Sequence, residues 1–84
     1  MKRMTYGTLP TRAAFKAAYK RVVGRDTYTI GNTYVGRRRS IDGEYTEAEL
    51  WNLVRKLTFE GNRGAEESGY VASAILSTLG FEWV

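Results

Sequence analysis

The 84-residue chain contains no cysteine and no histidine. The first absence excludes a disulfide framework, a thiolate nucleophile and zinc-finger spacing. The second removes the commonest metal ligand and the commonest general base. Apolar runs stop at three or four residues, far short of the roughly 20 that span a bilayer. The start, Met1-Lys2-Arg3-Met4-Thr5-Tyr6-Gly7, is basic but has no apolar stretch behind it. A secretory signal is therefore not expected, and a cytoplasmic location is the default. Carboxylates do not group for catalysis either. Glu66 and Glu67 are neighbours in sequence, so on a helix they point in different directions, and Asp42-Gly43-Glu44 is too short for a calcium loop. A non-enzymatic chain with no metal and no other cofactor is expected.

What remains is ordinary globular material: 43% apolar residues, 13% aromatics and 26% charged residues. The length fits a single domain over residues 1–84, burying roughly 60–65% of the surface its unfolded form exposes. Charge is divided unevenly along the chain, although the net value is +4. Residues 1–39 hold Lys2, Arg3, Arg12, Lys16, Lys20, Arg21, Arg25, Arg37, Arg38 and Arg39 against the single acid Asp26. Residues 40–84 hold eight acids against Arg55, Lys56 and Arg63. Such a division suits a polyanionic or acidic partner for the first half. The plain alternative is that the two halves neutralise each other once folded.

Hydrophobic spacing predicts three helices. Phe15, Ala18, Tyr19 and Val22 form an i, i+3, i+4, i+7 stripe behind Thr8-Leu9-Pro10-Thr11 and ahead of Gly24, which gives a helix over about 10–23. Thr46 and Glu49 form a capping box, with Tyr45 and Leu50 at the staple positions, ahead of the stripe Leu50, Leu53, Val54, Leu57. Gly61-Asn62-Arg63-Gly64 is expected to end that helix. A third helix over about 65–79 carries Ala72, Ile75, Leu76 and Leu79, and the small residues around Gly69 permit a close neighbour. Gly80-Phe81 fits a Schellman ending. Phe81-Glu82-Trp83-Val84 alternates and suits a short last strand. Between the first two helices, Thr27-Tyr28-Thr29-Ile30, Gly31-Asn32 and Thr33–Arg39 read as strand, two-residue turn and return strand, with Asp42-Gly43 a further turn and a meander a second possibility. The expected class is α+β, with a small antiparallel β-hairpin or meander packed against three helices in the order α-β-β-α-α and a C-terminal strand.

Arg37-Arg38-Arg39 is the sharpest local feature. Three adjacent guanidiniums repel one another and need solvent, acids or phosphates around them, and arginine suits bidentate phosphate contact. Tyr28, Tyr34 and Tyr45 lie close in sequence, and an exposed aromatic can stack on an unpaired base. On the first helix, Arg12, Lys16 and Lys20 recur every four residues, with Arg21 and Arg25 near its end, and could follow a phosphate backbone. The plain alternatives are an edge strand protected by charge and a solvated helix face. Gly61-Asn62-Arg63-Gly64-Ala65 lacks the Gly-Lys-Ser/Thr of a phosphate loop, and Glu66 and Glu67 would repel an anion there. There is no clear helix-turn-helix spacing, no RNA-recognition sheet signature and no Gly-x-x-Gly clamp. The expectation is a small basic binding module that engages DNA or RNA through Arg37, Arg38, Arg39, Arg12, Lys16, Lys20, Arg21 and Tyr34. The alternative is a protein-interaction module, such as a small inhibitor or accessory subunit of a larger complex, docking the same surface on an acidic protein.

Overall fold

Thr11 opens the first helix: its hydroxyl accepts the Ala14 N–H at 3.1 Å, satisfying one of the donors orphaned at a helix start. The computed structural model describes residues 2–4, 7–36 and 38–83. In it, α1 spans Arg12–Val22 and buries Phe15, Ala18 and Tyr19. Pro10 lies just ahead of the cap rather than in the first turn. Gly24, at φ +63°, leaves the helix through the left-handed region that costs glycine no steric penalty.

α2 spans Glu47–Asn62, and both halves of its capping box are made. The Thr46 N–H donates to Glu49 Oε1 at 2.8 Å, and the Glu49 N–H donates to Thr46 Oγ1 at 3.3 Å. Leu50, Val54 and Leu57 are fully buried. The helix ends at Asn62, within the expected Gly61-Asn62-Arg63-Gly64 segment, with Arg63 as its C-cap. α3 spans Glu66–Thr78 and buries Ser68, Gly69, Ala72, Ile75 and Leu76. It closes as expected: Gly80 has φ +96°, its N–H reaches the Ser77 carbonyl at 3.0 Å, and Phe81 turns into the core.

The strands form three two-stranded ladders. β1 (Lys2–Met4) runs parallel to β6 (Phe81–Trp83), which gives the expected last strand a partner from the other end of the chain. β2 (Thr27–Ile30) pairs antiparallel with β5 (Gly43–Thr46), with Thr27 opposite Thr46 and Ile30 opposite Gly43. Inside their connection, β3 (Tyr34–Val35) pairs with β4 (Arg39–Ser40). One small hairpin is thus nested within a larger one, and Gly31-Asn32 does not fold Thr33–Arg39 back along β2. The neck between them is closed by two contacts. Asp42 accepts the Thr33 N–H at 2.8 Å, and the Ile41 N–H reaches the Thr33 carbonyl at 3.0 Å. This path buries Ile30, Val35 and Ile41 together, and burial of one apolar set is what fixes a strand register.

Helices and hairpins share one core, from Phe15 through Leu50, Leu57 and Leu76 to Phe81. The chain is therefore α+β in the expected element order. Among the described residues, no helix is long and apolar enough to cross a membrane.

Candidate nucleic-acid interface

Where the carboxylates go decides how much positive charge stays free. Asp42 accepts the Thr33 N–H, Glu49 accepts the Thr46 N–H, and Glu67 accepts the Gly36 N–H at 2.8 Å. Glu44 accepts the Thr27 hydroxyl at 3.0 Å. Only Glu47 and Glu60 form ion pairs among the described residues, with Arg12 and Arg39 respectively. Four of the nine acids thus serve to cap a helix or tie strands and loops rather than to neutralise a cation. Lys16, Lys20, Arg21, Arg25, Arg38, Arg55, Lys56 and Arg63 have no ion-pair partner among the described residues.

The two paired arginines are held firmly. Both guanidinium N–H groups of Arg12 reach the Glu47 carboxylate in a fork, and the guanidinium carbon lies 5.4 Å from the Trp51 ring centroid. Trp51 is half-buried and tilts against Phe15 with ring centroids 5.1 Å apart. The hydrogen bond from Arg12 holds the Glu47 carboxyl below its ordinary range against the opposing effect of burial, helped by the fields of Arg12 and Lys16. Arg39 donates to Glu60 at 3.0 and 3.1 Å, and the Ser68 hydroxyl donates to the same carboxylate at 2.9 Å. At Glu60, burial pushes the carboxyl upward. The hydrogen bonds from Arg39 and Ser68 and the charges of Arg39 and Lys56 outweigh it and leave the carboxyl below its ordinary range.

Glu47 and Glu60 stand thirteen residues apart on α2, about 20 Å along its axis. Arg12 and Arg39 are therefore anchored at opposite ends of one helix and do not converge on one site. The nested hairpin is clasped on one side by Glu60 and by Glu67 through the Gly36 N–H. Arg38 and Tyr34 are left exposed beside it, Tyr34 at 58%. Arg37 lies outside the described residues. Tyr28 and Tyr45 face each other across β2 and β5 and pack half-buried on the core, and the Tyr45 hydroxyl donates to the Ile41 carbonyl at 2.6 Å. These two tyrosines are structural, and of the three hairpin tyrosines only Tyr34 presents an open ring.

On α1, Lys16, Lys20 and Arg21 are all exposed. Lys16 and Lys20 are one helical turn apart, about 6 Å along the axis, with Arg21 beside Lys20 at the end of the helix. A strand of phosphates can be met at that spacing by long, mobile side chains. Two further cations, Arg55 and Lys56, and the exposed Phe59 lie on α2, outside the residues expected at the interface. Their signal was there, because they sit at helical spacing opposite the apolar stripe. Among the described residues, no group of His, Cys, Asp and Glu is arranged to hold a metal ion. No protein-family model, curated protein or solved structure matches this chain.

Proposed function

We propose that the protein is a non-enzymatic nucleic-acid-binding module of the cytoplasm, with phosphates as its principal contact. The observation that supports this is the fate of the acids: Asp42, Glu44, Glu49 and Glu67 are tied to backbone N–H groups or a hydroxyl, and among the described residues Lys16, Lys20 and Arg21 on α1 and Arg38 at the hairpin have no ion-pair partner. Arg12 and Arg39, expected at the interface, take a positioning role instead, tying α1 and the hairpin to the two ends of α2. An exposed cation loses little hydration when it meets a phosphate and releases condensed counterions from the polyanion, so affinity is gained mainly at low salt.

The test is binding of labelled single-stranded and duplex oligonucleotides, followed by fluorescence anisotropy as salt is raised. Four phosphate contacts give a log–log slope of about −3 to −4. The double variant Lys16→Glu/Lys20→Glu should weaken binding and make the slope shallower by about 1.5–2. No binding at low salt overturns the proposal. So does a partner captured from extract that nuclease treatment leaves in place, which would assign the same surface to an acidic protein.

A further inference from the structure

The outward face of α2 carries Asn52, Arg55, Lys56, Phe59 and Arg63, spaced i, i+3, i+4, i+7 and i+11, opposite the buried Leu50, Val54 and Leu57. It holds all three basic residues of the second half of the chain. Phe59 is 58% exposed, against the strong preference of phenylalanine for the interior. The Arg63 guanidinium carbon lies 4.3 Å from the Phe59 ring centroid. Beside this pair runs a groove of about 490 Å³ between α2 and the Gly7–Leu9 segment. Thr58 lines it, 2% exposed, and its hydroxyl has no hydrogen-bond partner among the described residues. The acids of α2 lie elsewhere: Glu47 and Glu49 in its first turn are held by Arg12 and the cap, and Glu60 is held by Arg39 and Ser68.

On these observations, and resting on the nucleic-acid reading above, we infer that this face is a stacking platform for single-stranded nucleic acid. An unpaired base stacks on Phe59 and Arg63, while Arg55 and Lys56 meet the flanking phosphates. The charge argues for a polyanion. The exposed ring argues for an unpaired one, because a duplex keeps the faces of its bases stacked on one another, whereas a single strand offers them to aromatic side chains. The location argues for continuity. Turning about 100° per residue, the positions of Arg55, Phe59 and Arg63 lie between the side of α2 that faces Arg12 and the side that faces Arg39. A strand crossing this face would connect the cations of α1 with those of the hairpin.

The experiment compares wild-type protein, Phe59→Ala and Phe59→Trp for binding to labelled oligothymidine, oligouridine and a mixed-sequence duplex at several salt concentrations. Phe59 is solvent-facing, so both variants should fold, which circular dichroism melting checks. Phe59→Ala should weaken single-strand binding about fivefold to a hundredfold, leave the salt slope and duplex binding unchanged, and be rescued by Phe59→Trp. Single-strand binding that survives Phe59→Ala intact, or a wild-type preference for duplex, overturns the platform and leaves the nucleic-acid reading standing. No binding to any of the three oligonucleotides at low salt removes both.

Discussion

Gly61 on α2 and Gly69 on α3 meet backbone to backbone: a Cβ built on Gly61 would lie 2.7 Å from the Gly69 Cα and 2.9 Å from its nitrogen. Neither atom can swing away, because both belong to the main chain of a buried turn. The approach lets the Ser68 hydroxyl reach Glu60, and Glu60 in turn holds Arg39. The spacing of the α2–α3 pair therefore positions the hairpin.

The variant Gly61→Ala sets two effects against each other. Alanine favours the helix by about 1 kcal/mol, whereas overpacking against a backbone that cannot yield costs typically about 1–3 kcal/mol. The clash is with main chain on both counts, so the cost should win. A net loss of up to about 2 kcal/mol is expected, lowering the melting temperature by up to about 16 °C in a domain of this size. A higher melting temperature would mean that propensity dominates and the helices are not in contact at this point.

This contact also marks what could be read from the sequence and what could not. Thr46, Glu49 and the Leu50 stripe are tied by bonds three and four residues long, so the start of α2 was legible in the sequence itself. The Gly80-Phe81 ending was legible for the same reason. Gly61 was legible as part of a terminator, and α2 does end one residue past it at Asn62, but its close approach to Gly69 depends on the partner across the gap. Gly31-Asn32 has turn chemistry, and Asn32 does adopt φ +52°, but which segment returns along β2 depends on the distant burial of Ile41 and the Asp42 neck. The basic surface was legible as charge. The carboxylates that claim Arg12 and Arg39 lie 35 and 21 residues away, and no local pattern announces them.

Tyr19 is 5% exposed and its hydroxyl has no hydrogen-bond partner among the described residues. A buried polar group left unpaired costs about 1–3 kcal/mol, so Tyr19→Phe should leave stability unchanged or raise it by about 1 kcal/mol. Burial, followed by the negative fields of Glu47 and Asp26, raises the phenol above its ordinary range. The proton is therefore held more tightly in the folded chain, and stability falls as pH rises above about 10, where unfolded tyrosine ionises. Urea midpoints should fall less for Tyr19→Phe than for the wild type across that alkaline window. An equally steep fall would show that the phenol does not titrate with folding.

The Arg12–Glu47 fork should give stability the opposite pH dependence. Because the folded Glu47 carboxyl sits below its unfolded value, its contribution is complete above about pH 4.5 and is lost as pH drops through the folded value. The Arg12 side chain is 42% exposed, and solvent screening limits such a pair to about 0.2–1 kcal/mol. Glu47→Gln should therefore be slightly less stable than the wild type at neutral pH, with the gap closing in acid. Paired denaturation curves at neutral pH and near pH 3 check this, and a gap that persists in acid would place the contribution in packing rather than charge.

Arg38 and Arg39 are adjacent in sequence but should behave as different kinds of residue. Arg39 is bound to Glu60, which also accepts from Ser68 where α2 and α3 meet, so Arg39→Ala frees a partly buried carboxylate and loosens the hairpin. A stability loss of about 0.5–1 kcal/mol is expected, with weaker oligonucleotide binding only to the extent that the hairpin is displaced. Arg38 has no ion-pair partner among the described residues, and Arg38→Ala should leave the melting temperature unchanged. Its effect should appear in binding, as a lower affinity at low salt and a salt slope shallower by about 0.7–0.9, the signature of one lost phosphate contact. The two variants, measured side by side by thermal melting and salt titration, separate an arginine that shapes the surface from one that belongs to it. If Arg39→Ala changed the slope and Arg38→Ala the stability, the internal pair with Glu60 would not be what holds the hairpin.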